Sequence, residues 1–589
     1  MIDHFIITAS KNTEPDKYQI GLTEDWILTT QGSRYTHYHE DDVTIFVFGD
    51  YIGEKEALFN CHSDDIPKLR GNFYAIVVHN KTIKIYSSFL NVLPIYYTTD
   101  NSCFSSSIQY IREKSKKEFS INKKFILETL LFNYGFFNRT LYQEIQLVPC
   151  NSFLTILEDR LEIQKHLDTV SMFTQHPAKG AKTVDRLSDL FIETTSHYFP
   201  DTSFDIAFTS GFDGRTLVSC ATFHNKDFKT FSFGRPENDD VSIPKENATK
   251  LNIPYKYYDL GSDEYLNQEY IHKAISYIHQ YPGGNGFIYP HFLYSTEQIA
   301  KESDYLLSGI VGSELFRALH LTGAVTSTTL ADVFISKTSQ EIKDKITNAK
   351  ALKVIQKENY KTELQELIDE VIVYKEAIPN HLTENQKFYV FVFEEIFRKF
   401  FGQWVSIQMQ HVKVRTPFLD YTFIKELLTT QYAGANNDFF TENPLKRMKG
   451  QYLYADIIKK TNCTIYHQIT GKGYRPKDVR ESIYLYKIII PFIKKRFKRK
   501  VKTPNLDNLG IISGTLTHKK IIEEALNNTS FFDASVLSSM LDTISPHTPE
   551  KERDTLLMAV SILIAIQYQP KTNSKHLSHY ESNNDAYQL

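Results

Sequence analysis

Cysteine is scarce in this chain. Its five residues (Cys61, Cys103, Cys150, Cys220 and Cys463) are odd in number, lie far apart and form no CxxC pair. That argues against a disulfide framework and fits a reducing compartment, so a cytoplasmic protein is expected. Charge imbalance is missing too: 67 Lys and Arg oppose 70 Asp and Glu, for a formal net charge of -3. A partner with a phosphate backbone usually meets a strongly basic surface, so nucleic acid is not expected. The longest apolar run, LLMAVSILIAI (556–566), is about half of what a bilayer requires, and MIDHFIITAS lacks the basic flank and apolar core of a signal peptide. No membrane association is expected. Two phosphate-loop signatures, GxxxxGK[ST] and GxGxxG, are absent from the most conspicuous glycine-containing loop, described below.

What is present is an ordinary globular composition, 41% hydrophobic and 23% charged in 589 residues, enough for two to four domains with their own cores. Residues 1 to about 165 carry short alternating or apolar runs: VTIFVF (43–48), FYAIVV (73–78), TIKIYS (82–87), PIYYTT (94–99) and FLTIL (153–157). Turn-formers separate them, which predicts a mostly antiparallel layered domain. TQHPAKGAKT (174–183) is polar and aperiodic and reads as a linker. Beyond it a helical period, the strand FDIAF (204–208), a loop, a helix and the strand KTFSFG (229–234) predict a parallel α/β sheet. The charged stretch 338–405 has a helical period, with Ser339 as the expected cap before Glu341. HYHEDD (37–42) reads as a strand edge rather than a metal site, and KKRFKRKVK (494–502) as a solvated helix face rather than a docking site for an acidic peptide or phosphate.

The loop within AFTSGFDGRTLVS (207–219) offers chemistry. An apolar strand runs into glycines and an acid and then resumes as an amphipathic helix. Glycines after a strand let backbone N–H groups converge on an anion, and the following helix adds the positive end of its dipole. The loop is close to SGGxDS, in which Ser and backbone N–H groups grip the β and γ phosphates of ATP and the Asp reaches magnesium. Here it reads Ser210, Gly211, Phe212, Asp213, Gly214, Arg215. Taken alone, the six residues fit an ordinary strand-to-helix turn equally well.

Further stretches lie in the same order as in the asparagine synthetase superfamily, which the chain resembles from about residue 40 to 480. TFSFG (230–234) is similar to the family strand whose end contacts adenine. LLSGIVGSELF (306–316) resembles SGxGxDELF, and VKVRTPFLD (412–420) resembles EVRxPFLD. Upstream, LRGNFYAIVVHN and YGFFNRTLYQEIQLVP resemble the amino-terminal glutaminase-like domain. The resemblance implies a degenerate α+β Ntn-type sandwich over residues 1–170. It implies an α/β pyrophosphatase-loop synthetase domain with a helical extension over 184–570, and a flexible tail over 571–589.

It also implies site roles. Ser210, Gly211, Phe212 and Gly214 would hold pyrophosphate, Asp213 and Glu314 would hold magnesium, Thr209 and Phe233 would flank adenine, and Ser308 and Gly309 would close the nucleotide pocket. Lys472, one residue out of register with the family lysine before Gly-Phe, would neutralise the leaving charge. Arg415 would either pair a substrate carboxylate or turn a helix against the sheet. The chain departs from the family at Ile2, where glutamine-using members expose a cysteine, at Ile310 and Ser313, where family acids stand, and at Lys413, which replaces the Glu of EVRxPFLD. Loss of the cysteine is shared with members resembling β-lactam synthetases and lasso-peptide macrolactam cyclases. The expected function is therefore an AMP-forming amide ligase using ATP and Mg2+ without glutaminase activity. Its substrate would be a small molecule or peptide bearing a carboxylate and an amine, in natural product biosynthesis. An ammonia-dependent synthetase and a nucleotide- or peptide-binding scaffold remain alternatives, and a homodimer stays open.

Overall fold

Alternation of side chains builds the amino-terminal half. In strand β5 (Val43–Tyr51), Phe46 and Phe48 face one way and Ile45 and Val47 the other, as the two-residue period of a strand requires. Phe48 and Tyr74 meet Phe5 of strand β1 (Phe5–Ala9) with ring centroids 5.1 and 5.3 Å apart, while Ile45 and Val47 pack with Leu58 and Ile66 of short helical segments. Each half of the sandwich is a six-stranded antiparallel sheet, the first containing β1 and the second β5. The antiparallel layered expectation is met. HYHEDD overlaps strand β4 (Tyr35–Glu40) at the edge of the second sheet, where the His39 ring bonds the Thr44 hydroxyl at 3.0 Å.

The computed structural model describes residues 2–10, 18–115, 117–157, 160–317, 325–437, 449–484, 486–490, 506–527 and 529–567. The basic run 494–502 and the segment 571–589 lie outside the described residues.

The second half carries a five-stranded parallel sheet made of β13 (Phe204–Ala207), β14 (Phe228–Gly234), β15 (Tyr255–Asp259), β16 (Tyr305–Leu307) and β17 (Lys413–Arg415). Its order is β15-β14-β13-β16-β17. The chain therefore leaves β13 toward one edge and returns to β16 on the other side, which creates a topological switch point between these two strands. No helix among the described residues is long and apolar enough to cross a membrane.

Two local expectations shift. The helix expected to be capped by Ser339 is capped by Thr338, whose backbone is extended (φ -126°, ψ 153°) and whose Oγ1 accepts the Glu341 N–H at 3.2 Å. Ser339 is already helical and donates its hydroxyl to Glu376 at 2.9 Å. The expected linker is also less free than its composition implies. Ala178 exchanges backbone hydrogen bonds with Thr429 and Gln431 at 2.8 and 2.9 Å, and a helix begins at Ala181.

The two halves are welded by buried polar contacts. Asn72 Nδ2 donates to the carbonyl of Val414 at 2.8 Å, Arg398 donates to the carbonyls of Val148 and Phe137 at 2.6 and 2.7 Å, and the Ile2 N–H reaches Met409 O at 2.8 Å. Arg415 grips Asp50 in a bidentate pair, Nε to Oδ2 at 2.7 Å and Nη2 to Oδ1 at 3.4 Å, and donates to Tyr198 O at 3.1 Å. This corrects the first of the two roles expected for Arg415. Its guanidinium is spent on the other half of the protein and does not face a substrate.

Asp50→Ala would leave the Arg415 charge buried and unpaired, a change that costs about 3–5 kcal/mol. Urea denaturation should show that loss; a variant as stable as wild type would mean the pair is not a weld.

Candidate functional site

The loops after β13 and β16 meet at the switch point, the crevice where open α/β sheets bind ligands. Gly214 is the condition for that meeting. A Cβ there would overlap the carbonyl oxygen of Ala207, so only glycine lets the helix Asp213–Phe223 start directly above the end of β13. Gly309 lies against Asp213 and Gly214 from the other loop. Ser308 is fixed by its N–H to Arg415 O at 2.9 Å, and its Oγ accepts the Ile310 N–H at 3.3 Å. Val311 has a left-handed backbone (φ 60°, ψ -5°), an unfavourable conformation for a β-branched residue and the kind of strain that collects at functional sites.

The helix Asp213–Phe223 has Phe212 at its N-cap, and no side chain caps it. A helix start leaves backbone donors without intrahelical partners, so this end presents N–H groups and a positive dipole to the crevice. Neither Phe212 nor Arg215 fills that space. Phe212 turns into the core, 5.7 and 6.3 Å from the rings of Tyr454 and Tyr474. Arg215 is fully buried and ties Gly211 O at 3.3 Å to Ile469 O at 3.0 Å; burial lowers its guanidinium to about 10.

Ser210, expected to grip phosphate, stands one position away from the hydroxyl of SGGxDS. In SGGxDS the first hydroxyl precedes the Asp by four residues, and the residue four before Asp213 is Thr209, not Ser210. The Thr209 hydroxyl accepts the Gly211 N–H at 3.4 Å, inside the loop. Both donors of Ser210, its N–H and its Oγ, go to Asp240 Oδ1 at 3.0 and 2.5 Å. Ser210 is thus latched to the neighbouring helix. Phe233, expected beside adenine, packs on His291 and Phe292 at 4.7 and 5.6 Å, and burial holds that histidine down to about 3 and therefore neutral.

Asp213 is the centre of the charge arrangement. Its Oδ2 accepts from the hydroxyl of Ser313 at 2.7 Å and its Oδ1 from the hydroxyl of Tyr454. Glu314 is pushed up to about 7, first by burial and then by Asp213, with Arg317 acting the other way. The residue Lys472 keeps exposed surface, but its ammonium end is desolvated, which lowers it to about 8 together with Arg317 and against Asp213. Tyr454, Arg317 and Asp240 are residues that sequence reading did not single out. Arg317 directly follows SELF and could have been flagged as a charge beside a motif, and Asp240 belongs to an acid pair after β14. Tyr454 lies mid-helix with no motif to mark it. Lys413, in place of the family Glu, donates to the hydroxyl of Tyr305 at 3.3 Å.

The donor set fits a magnesium ion of the kind that is bound through phosphates. No cluster of three or more His, Cys, Asp or Glu side chains is present among the described residues. Magnesium in nucleotide sites, however, uses one or two carboxylates and completes its shell with phosphate and water. Asp213 and Glu314 are the acids that would hold it, and the rise in Glu314 comes from burial first and from Asp213 second.

Without magnesium or nucleotide, the raised pKa of Glu314 stabilises the fold through its proton. That contribution is fully present below pH 4.5, the ordinary value, and is lost as pH rises through about 7. The stability of wild type relative to Glu314→Gln should accordingly fall between these limits and flatten above them, read as thermal midpoints. A pH-independent difference would refute the perturbation.

Residues 194–481 match the family model for asparagine synthase. No curated protein compared with the chain matches it. The matched residues contain all five strands of the parallel sheet, both loops of the switch point and Lys472. Over these residues, just under half of its length, the chain is thus similar to asparagine synthase.

Proposed function

We propose that this chain, whose family points to an ATP-dependent C–N ligase, works by adenylating a carboxylate and passing the acyl group to an amine, without hydrolysing glutamine. The observation that carries the reading is the uncapped start of the helix Asp213–Phe223 above the switch point, with the Asp213 carboxylate beside it. Backbone donors there suit a phosphate chain, and the acid suits the cation that travels with it.

In the first step a substrate carboxylate oxygen attacks the α-phosphorus, and the bond from that phosphorus to the bridging oxygen of pyrophosphate breaks. Magnesium, held by Asp213 with Glu314, would offset the charge that gathers on the phosphates. The N–H groups of the helix start position the phosphates, and Lys472 faces the departing pyrophosphate from the rim. Ser313 and Tyr454 orient the Asp213 carboxylate through their hydroxyls. In the second step the amine displaces AMP from the acyl-adenylate. Ile2, which stands where glutamine-using relatives place their thiol, is buried, and its N–H is bound to Met409.

A second reading, a nucleotide-binding scaffold without turnover, is favoured by Ser313, which replaces a family carboxylate and occupies Asp213 as a donor.

Incubation with ATP, magnesium and pooled carboxylic acids distinguishes the two. The ligase reading expects pyrophosphate release that falls by about a hundredfold or more in Asp213→Ala, the scale of losing one preorganised electrostatic group. ATP binding with no release on any acid would support the scaffold.

A further inference from the structure

The family lysine before Gly-Phe falls, by the one-residue offset, on Gly471. The structure shows why no side chain can stand there. The Gly471 N–H donates to Ser210 O at 3.2 Å, and a Cβ at Gly471 would overlap the Ser210 hydroxyl. The backbone of this strap is pressed onto the loop after β13, and the place of the family cation is closed.

A second cation approaches the same crevice from the opposite loop. Arg317 ends the short helix Gly312–Phe316, which bears Ser313 and Glu314. Its backbone is fixed tightly: the Tyr389 hydroxyl donates to both Glu314 O and Arg317 O at 2.6 Å, and the Arg317 N–H bonds Ser313 O at 3.0 Å. The side chain is half-buried, yet among the described residues its guanidinium has neither an ion-pair partner nor a hydrogen bond. Its charge acts on Glu314, Tyr454, Tyr474 and Lys472, the residues that ring Asp213. Arg317 and Lys472 act on one another as like charges, with Glu314 and Asp213 acting the other way, and a guanidinium presents paired donors that match phosphate oxygens.

We propose that Arg317 is the pyrophosphate-binding cation of this protein, a residue that touches the leaving group and takes over the task of the lysine that Gly471 excludes. The proposal rests on the adenylation reading. As the phosphorus–oxygen bond breaks, its electron pair stays on the bridging oxygen of pyrophosphate, and Arg317 with Lys472 balances that charge.

Calorimetric titration with AMP, inorganic pyrophosphate and ATP, each with magnesium, tests it on the full chain. Wild type should bind all three. Arg317→Ala should bind pyrophosphate about ten- to a hundredfold more weakly, the scale of a lost charged hydrogen bond, and AMP as before. Arg317→Lys should recover part of the loss, which separates a charge effect from a folding defect. Unchanged pyrophosphate affinity in Arg317→Ala, or equal losses for AMP and pyrophosphate, would overturn the role of Arg317 and leave adenylation standing. A wild type that binds neither ATP nor AMP would overturn both.

Discussion

One close approach governs the site: the start of the helix Asp213–Phe223 lies against the carbonyl of Ala207 with no room for a Cβ between them. Any side chain at position 214 would tilt the helix away from the strand end, and Asp213 would swing with it. The distance matters because the field of a helix terminus falls off within its first turn. A displaced helix would still fold and pack, but its free N–H groups would no longer converge with the loop after β16. Recognition of an anion here would therefore be set by backbone geometry first and by side-chain charge second.

The charges around that terminus are balanced for a guest. Asp213 accepts hydrogen bonds from the hydroxyls of Ser313 and Tyr454. Burial first and Asp213 second raise Glu314 to about 7, and desolvation first and Arg317 second lower Lys472 to about 8. Each like-charged pair is unfavourable alone. A metal beside the acids and a phosphate chain beside the bases would relieve both at once.

Much of this was legible in the sequence, and the failures have physical causes. Period-two alternation fixed VTIFVF and TIKIYS as strands, because each buries a different set of residues on each face. The parallel sheet followed from strands spaced by helices. The loop was found, but its register was ambiguous because Thr209 and Ser210 are adjacent hydroxyls, and only the Asp240 contact shows which is occupied. Arg415 resisted reading for a different reason: its partner Asp50 lies 365 residues away, so no local pattern records the pair. Tyr454 reaches the site through tertiary packing, which leaves no spacing to recognise, whereas Arg317 directly follows SELF and carried a local signal.

The same distant pair explains what the amino-terminal half does for the site. Strand β17 is three residues long and lies at the edge of the parallel sheet, a position that is weakly held unless something covers it. Asn72 takes the carbonyl of Val414, and Asp50 takes the side chain of Arg415. The carbonyl of Arg415 in turn accepts the N–H of Ser308, the first residue of the loop that packs Gly309 against Asp213. A chain of three contacts thus links the antiparallel sandwich to the crevice, and the sandwich determines where the second loop stands.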